Sequence, residues 1–445
     1  MERQILNQLL DWKKNQAKKP LVLKGARQVG KTHSLLEFGK TQYEEKKHQC
    51  HHLDLKKTKR LYSIFEENLD PDKIIKQLRL TLRKEIDIEH DLIILDEIQE
   101  CPHAITSLKY FEQDMKTLDI IAAGSHLGLL KNEVSFPVGK VDFLHMFPMN
   151  FDEYLKVMNT ELYSELSEYN MMQPLPTIIH KLILEHLTSY LFTGGLPEVV
   201  AEYINSNHSI TATRQKHKEL INGYRADFSK YAGRVNATHI QYVFDSIASQ
   251  LSQSHDEGRK KYRFKDVIPN RKGFDAIRGP LGWLSESRLC IPSRIVKKAE
   301  HPLLGYADEN KFKVYLFDTG ILNCLLDVPG ETILGQEAGA CKGFIMENYV
   351  AQELYCRKNS ELYSWQEGTS ELEFLWNEPK DIIPLEVKSA SRSRRAKSLD
   401  AYIQRYHPSK AYKLTAQNYG YTPGRKITTL PLYCCGKLID TIQYT

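Results

Sequence analysis

Residues 21–36 read LVLKGARQVGKTHSLL. A short apolar run stops at a glycine, and Gly25–Thr32 then fits the pattern G-x-x-x-x-G-K-[ST]. The pattern stands directly behind a strand-like run and at the head of a helical one, the context that a phosphate-binding loop requires. Gly25 and Gly30 allow the tight turn. The backbone amides through Ala26, Arg27, Gln28 and Val29 can then face phosphate oxygens, with the positive end of the following helix aimed at the same anion. Lys31 would reach the β- and γ-phosphates, and Thr32 would offer its hydroxyl to Mg²⁺. The stretch therefore predicts ATP with Mg²⁺ as ligand.

Asp91–Glu97 reads DLIILDE, an apolar run closed by two acids. A buried strand would present Asp96 at its carboxyl end, beside the loop, to hold the metal shell. Glu97 would then polarise the attacking water. LDIIAAGS, Leu118–Ser125, is a further strand, and Ser125 would sit between loop and acidic strand as a sensor of the terminal phosphate. HQCHHLD, His48–Asp54, resembles a metal-binding run, but its alternation into Leu53 and Leu55 predicts a strand whose neighbours face opposite ways. KVDFLHMFPM supplies a fifth strand, and Ile5, Leu6, Leu9 and Leu10 make an amphipathic helix of the N-terminus. Strands alternating with helical patterns predict a parallel sheet covered by helices.

The chain has 445 residues, too many for one domain. A net charge of +5 permits a nucleic-acid partner without requiring one. The eight cysteines include no C-x-x-C spacing, so reduced thiols and a cytoplasmic location are expected. No leader is visible, and no window approaches the length of a membrane span.

Residues 1–235 resemble the AAA+-type ATPases related to the STAND and archaeal-ATPase clades. The pieces that carry the likeness are LVLKGARQVGKT, LIILDEIQECP, IIAAGSHLGLL, VGKVDFLHMFPMNFDEYL and LFTGGLPEVV. The resemblance implies a P-loop core over 1–151 and a helical lid over 152–235, in which Gly195 and Pro197 face the nucleotide. Proline at the first turn of a helix is the alternative reading of that element. Gly139-Lys140 stands where the family commonly has Gly-Arg, which argues against a trans-acting arginine there. Arg27, Arg225 and Arg234 are other cations that could act on phosphate. A homo-oligomer or a protein partner is compatible with this family.

Residues 236–330 resemble the winged-helix module that follows such lids, with Arg271, Lys272, Arg278 and Arg288 around its second helix. That helix could enter a DNA groove or serve as scaffold. Residues 331–445 resemble the restriction-endonuclease-like, PD-(D/E)xK domain found behind these ATPases. The expected architecture is thus α/β: a P-loop NTPase parallel sheet with helical lid, then a winged helix, then a PD-(D/E)xK-like α/β domain. Glu386 and Lys388 in PLEVK share one strand face, Glu373 lies on the strand ELEFL, and Glu347 lies on the helix GFIMENYVAQEL. Together they could bind Mg²⁺ and activate water, or form the polar side of an amphipathic sheet. The family usually has aspartate where Glu373 stands, and Mg²⁺ demands near-ideal octahedral geometry. Arg392, Arg394, Arg395 and Lys397 could neutralise phosphates; Tyr402, Tyr406 and Tyr412 could stack on bases or pack. Three functions remain open on the residues: an ATP-driven switch acting on DNA or a nucleic-acid-associated partner, an ATP-gated Mg²⁺-dependent nuclease, and an ATP-regulated protein-binding module.

Overall fold

A computed structural model describes residues 1–125, 127, 137–257, 261–335, 342–388 and 397–443. Arg392, Arg394 and Arg395 lie outside the described residues, as does the side chain of Arg234. The chain divides into two compact units, Met1–Phe147 and Pro148–Thr445.

The first unit begins with α1 (Ile5–Lys14), β1 (Leu21–Gly25), α2 (Lys31–Gln42) and β2 (Cys50–Asp54). It continues with α3 (Tyr62–Glu67), α4 (Pro71–Leu82), β3 (Leu92–Asp96), α5 (Pro102–Asp114), β4 (Asp119–Gly124) and β5 (Asp142–Met146). The five strands form one sheet in the order β2-β3-β4-β1-β5, and every pairing is parallel. All residues of β3 and β4 are buried, as unbroken apolar runs demand when helices cover both faces. The outer β2 alternates between buried and half-buried positions. The sheet order puts β4 between β1 and β3, so the carboxyl ends of the loop-bearing, acid-bearing and serine-bearing strands lie side by side. His48–Asp54 contains this edge strand, and no metal-binding group of three His, Cys, Asp or Glu exists among the described residues.

The second unit opens with helices α6 (Phe151–Met158), α7 (Thr160–Glu168), α8 (Thr177–Thr193), α9 (Pro197–Asn205), α10 (Ile210–Ala232), α11 (Arg234–Glu257) and α12 (Asp275–Glu286). Strands β6 (Cys290–Val296) and β7 (Ala307–Leu316) follow, then α13 (Thr319–Leu325), α14 (Gly330–Leu334) and α15 (Lys342–Lys358). The remainder is β8 (Leu362–Glu367), β9 (Ser370–Asn377), β10 (Ile382–Val387), α16 (Lys397–Tyr406), β11 (Ala411–Thr415), β12 (Gly420–Thr422), β13 (Ile427–Pro431) and α17 (Cys435–Gln443). Its mixed sheet has eight strands in the order β12-β13-β11-β10-β9-β8-β6-β7. The hairpin β6–β7 therefore belongs to the same sheet as the C-terminal strands, because β6 pairs in parallel with β8. The sequence boundary at 330/331 coincides with no break in that sheet, and the boundary at 235/236 with no break between units. Tyr402 and Tyr412 pack in the interior, Tyr402 edge-on to Trp365 and donating its hydroxyl to the Ile382 carbonyl. The Tyr406 ring packs on Trp365 and Tyr402.

Polar ties hold this unit together around Arg357. Its guanidinium meets Asp152 of α6 and Asp440 of α17, and lies 3.6 Å from Glu353 on its own helix. Gly436 leaves the space: a Cβ there would stand 2.2 Å from the guanidinium. Burial pushes Glu353 up to about 7, against the pull of Arg357. Removing one partner of a buried ion pair strands the other charges, so Arg357→Met is expected to cost about 3–5 kcal/mol of stability. Denaturant unfolding followed by tryptophan fluorescence reads this, since Trp283, Trp365 and Trp376 all lie in the unit. A carboxyl whose folded pKa is raised stabilises the fold below its unfolded value, and that contribution is lost as pH rises through the folded value. Without Arg357 the Glu353 value rises further, so the deficit at pH 5 should be smaller than at pH 8. An equal deficit at both would count against the pairing.

Candidate functional site

The loop between β1 and α2 is shaped by its backbone. Gly30 has φ +97°, a left-handed conformation that suits glycine. Gln28 also lies at positive φ. Gly25 is needed for a different reason: a Cβ there would stand 2.3 Å from the Met146 carbonyl oxygen of the adjacent β5. Lys31 is buried, and its ammonium donates to the carbonyls of Gly25 (3.0 Å) and Ala26 (2.8 Å) and to Ser125 Oγ (2.9 Å). Burial lowers its pKa to about 8, partly offset by Glu97 and Asp96. The loop lysine thus rests against the serine at the end of β4.

Thr32 donates its hydroxyl to Asp96 Oδ2 over 2.7 Å. Burial pushes the Asp96 carboxyl up, but the hydrogen bonds from His52 and Thr32 outweigh it and hold the group below its ordinary value. An ionised carboxylate touching the threonine hydroxyl fits a Mg²⁺ ion bound with nucleotide, which both oxygens could share. Glu97 has φ +53°, and its amide donates to Asp96 Oδ1 over 3.0 Å. Gln99 Nε2 donates to the Glu97 Oε2. Gly124 makes room for this arrangement, since a Cβ there would lie 2.5 Å from Gln99 Oε1. Lys31 thus meets Ser125 and Thr32 meets Asp96, with Glu97 following Asp96 directly.

Two further residues of this unit had no motif to announce them. His52 Nε2 lies 3.2 Å from Asp96 Oδ2, so the edge strand β2 contributes to the acidic site. Arg3 is buried and donates to the carbonyls of Val29 (2.6 Å) and Phe147 (2.8 Å), tying the phosphate loop to the chain beyond β5. A guanidinium–carbonyl hydrogen bond contributes about 1.5–3 kcal/mol. Arg3→Met is therefore expected to weaken ATP binding roughly tenfold, with far-UV circular dichroism unchanged. Wild-type affinity in that variant would show that the loop holds its shape without Arg3. Lys140 is engaged by Glu112 at 2.8 Å, and Arg225 by Asp245 at 2.9 Å.

Gly195 and Pro197 lie in the second unit. The Gly195 amide donates to the buried Asp318 (2.7 Å), and a Cβ on Gly195 would stand 2.0 Å from the Met149 carbonyl oxygen. Pro197 begins α9. The surroundings named here explain both residues through local packing.

The C-terminal residues do converge. Continuing the antiparallel register of β9 and β10 by one residue sets Glu386 opposite Glu373. Lys388 Nζ lies 2.9 Å from Glu386 and 3.6 Å from Glu373, whose other oxygen accepts from the Val387 amide. Glu347 on α15 meets a residue that sequence reasoning missed: Lys313 of β7, 2.8 Å away, which also lies 2.6 Å from Glu371. The Tyr315 hydroxyl donates to the same Glu347 oxygen. Burial raises Glu373 to about 7. The register slips between Tyr363 and Trp365, a β-bulge opposite Glu373, and bulges re-aim side chains. Alternation along KFKVYLFD would have put Lys313 and Tyr315 on one face, but nothing in it says which sheet that face joins.

Comparison with known families agrees with the first unit. Residues 17–155 match the AAA domain family. That part of the chain is similar to AAA-type P-loop domains, which bind nucleotide. Residues 184–332 match a domain of unknown function, DUF8612, and residues 342–435 match another, DUF4143. No curated protein sequence matches. Among solved structures, the chain is similar to one described as the structure of Drosophila ORC bound to DNA, with 15% identity, 72% of this chain and 93% of that chain covered, and a TM-score of 0.28. A score that low carries no argument about fold or partner. No described helix is long and apolar enough to cross a membrane.

Proposed function

We propose that the chain binds and hydrolyses ATP and uses the cycle as a switch acting on DNA. The observation that carries the hydrolytic part is the linked set at the carboxyl ends of β1, β3 and β4, in which Lys31 contacts Ser125 and Thr32 contacts Asp96. In this reading the loop amides and Lys31 hold the terminal phosphates. Ser125 reports whether a γ-phosphate has displaced it from the lysine. Glu97 accepts the proton of the attacking water, and Asp96 and Thr32 orient the metal-bound nucleotide. Mg²⁺, when bound, would supply charge neutralisation on the phosphates.

What supports DNA as the target is the exposed basic run Arg271, Lys272 and Arg278 about the start of α12, within the segment read as a winged helix. Such a run would neutralise phosphates, with strong salt dependence. The test is fluorescence anisotropy of a labelled duplex with the full chain, comparing a non-hydrolysable ATP analogue with ADP. Affinities differing at least about fivefold between the nucleotides, and falling steeply between low and moderate salt, are expected. Absence of binding, or equal affinity with both nucleotides, would remove DNA from the reading.

A second reading, an ATP-regulated protein-binding module, is favoured by the ion-paired state of the C-terminal carboxylates. An ATP-gated nuclease would need oxygens that Lys313 and Lys388 now hold.

A further inference from the structure

Four carboxylates, Glu347, Glu371, Glu373 and Glu386, share two ammonium groups in the C-terminal cluster. Lys388 is the lysine that a Glu-x-Lys strand supplies. Lys313 is not: it comes from β7, at the far end of the sheet order and three places from β9. Its ammonium nevertheless lies 2.8 Å from Glu347 Oε1 and 2.6 Å from Glu371 Oε1, the separations of charge-assisted hydrogen bonds. The Tyr315 hydroxyl takes the same Glu347 oxygen at 2.6 Å. The resemblance to PD-(D/E)xK domains implies a metal for such a cluster. A Mg²⁺ ion needs several oxygens at about 2.0–2.1 Å in near-octahedral array. Here Glu347 and Glu371 each have an oxygen on Lys313, Glu386 has one on Lys388, and Glu373 has one on the Val387 amide. The residues as arranged do not fit a divalent cation.

We propose that the Lys313 ammonium is the resident cation of this cluster, standing where a divalent metal would otherwise bind, so that the native protein takes no metal there. Two observations agree with a site that has kept its anionic character while losing its ion. Glu386 is 1% exposed, and its Oε2 is buried without a hydrogen-bond partner among the described residues. Glu373 lies 3.6 Å from Lys388, so four carboxylates gather about only two ammonium groups. Lys313 also ties the hairpin to the strands and helix around it, giving a structural reason for the residue to stay. The proposal concerns this cluster alone and stands or falls independently of ATP hydrolysis.

The test counts Mn²⁺ bound to the nucleotide-free full chain by electron paramagnetic resonance, in wild type, Glu386→Gln, Lys313→Met and the double variant. Any ion at Thr32 and Asp96 is common to all four and cancels in the comparison. Wild type and Glu386→Gln should bind the same number of ions. Lys313→Met should gain one ion that the double variant lacks, with an affinity at least tenfold above any at that site in wild type. One more ion in wild type than in Glu386→Gln would overturn the proposal, and so would a folded Lys313→Met that gains none. If Lys313→Met does not fold, the first pair of proteins decides alone.

Discussion

Replacing Lys31 by alanine is expected to abolish detectable ATP binding by isothermal titration calorimetry. The lysine does two things in this structure. It places an ammonium in a buried position where burial already lowers its pKa to about 8, so an approaching polyphosphate would find a charge poorly screened by water. It also holds the loop together, accepting no bond but donating to Gly25, Ala26 and Ser125. Hydrogen bonds involving a charged group contribute about 1.5–3 kcal/mol each. Losing two such contacts to phosphate corresponds to a loss of at least about 10²-fold in affinity. Arginine should not rescue the site, because its planar fork does not match a buried point-charge position. A melting transition that is lowered but still cooperative, with unchanged far-UV circular dichroism, separates lost binding from lost fold. Undiminished titration heat in Lys31→Ala would remove the nucleotide site from this loop.

Much of that site was legible in the sequence, because the spacing of Gly25, Gly30, Lys31 and Thr32 is a local matter and the acids at 96 and 97 end an apolar run. The parallel order was also implied, since strands joined by helices leave few alternatives. Arg3 was not legible: a single arginine ahead of an amphipathic helix matches no period, and its partners Val29 and Phe147 are distant in sequence. His52 was read correctly as part of a strand, but its contact with Asp96 depends on β2 pairing with β3. Lys313 required more still. Its place among the C-terminal carboxylates follows from the β6–β8 pairing, a long-range choice that no window of residues encodes. The sequence treated the hairpin and the C-terminal strands as separate modules for the same reason. Glu386 and Lys388 share a strand, and Lys388 reaches both Glu386 and Glu373 of the adjacent strand, a contact that needs only local pairing. Lys313, from elsewhere in the chain, lies on Glu347 and on Glu371 beside that group.

Glu97→Gln is expected to bind ATP within about twofold of wild type and to hydrolyse it about 10²–10⁴-fold more slowly, the range that a positioned general base contributes. The geometry makes this a selective change. Glutamine has nearly the same shape, and the left-handed backbone at φ +53° is equally open to it. The Glu97 amide keeps its bond to Asp96 Oδ1, so the acidic strand is undisturbed. The side-chain oxygen that accepts from Gln99 can be reproduced by the amide oxygen of glutamine. Only the capacity to take a proton from water disappears. Single-turnover phosphate release measures the chemical step, and calorimetry measures binding in the same preparation. Gln99→Ala should fall between wild type and Glu97→Gln, because it frees the carboxylate to wander without removing it. A Glu97→Gln rate within a few fold of wild type would mean that another group activates the water, and His52, already on Asp96, would then be the next residue to replace.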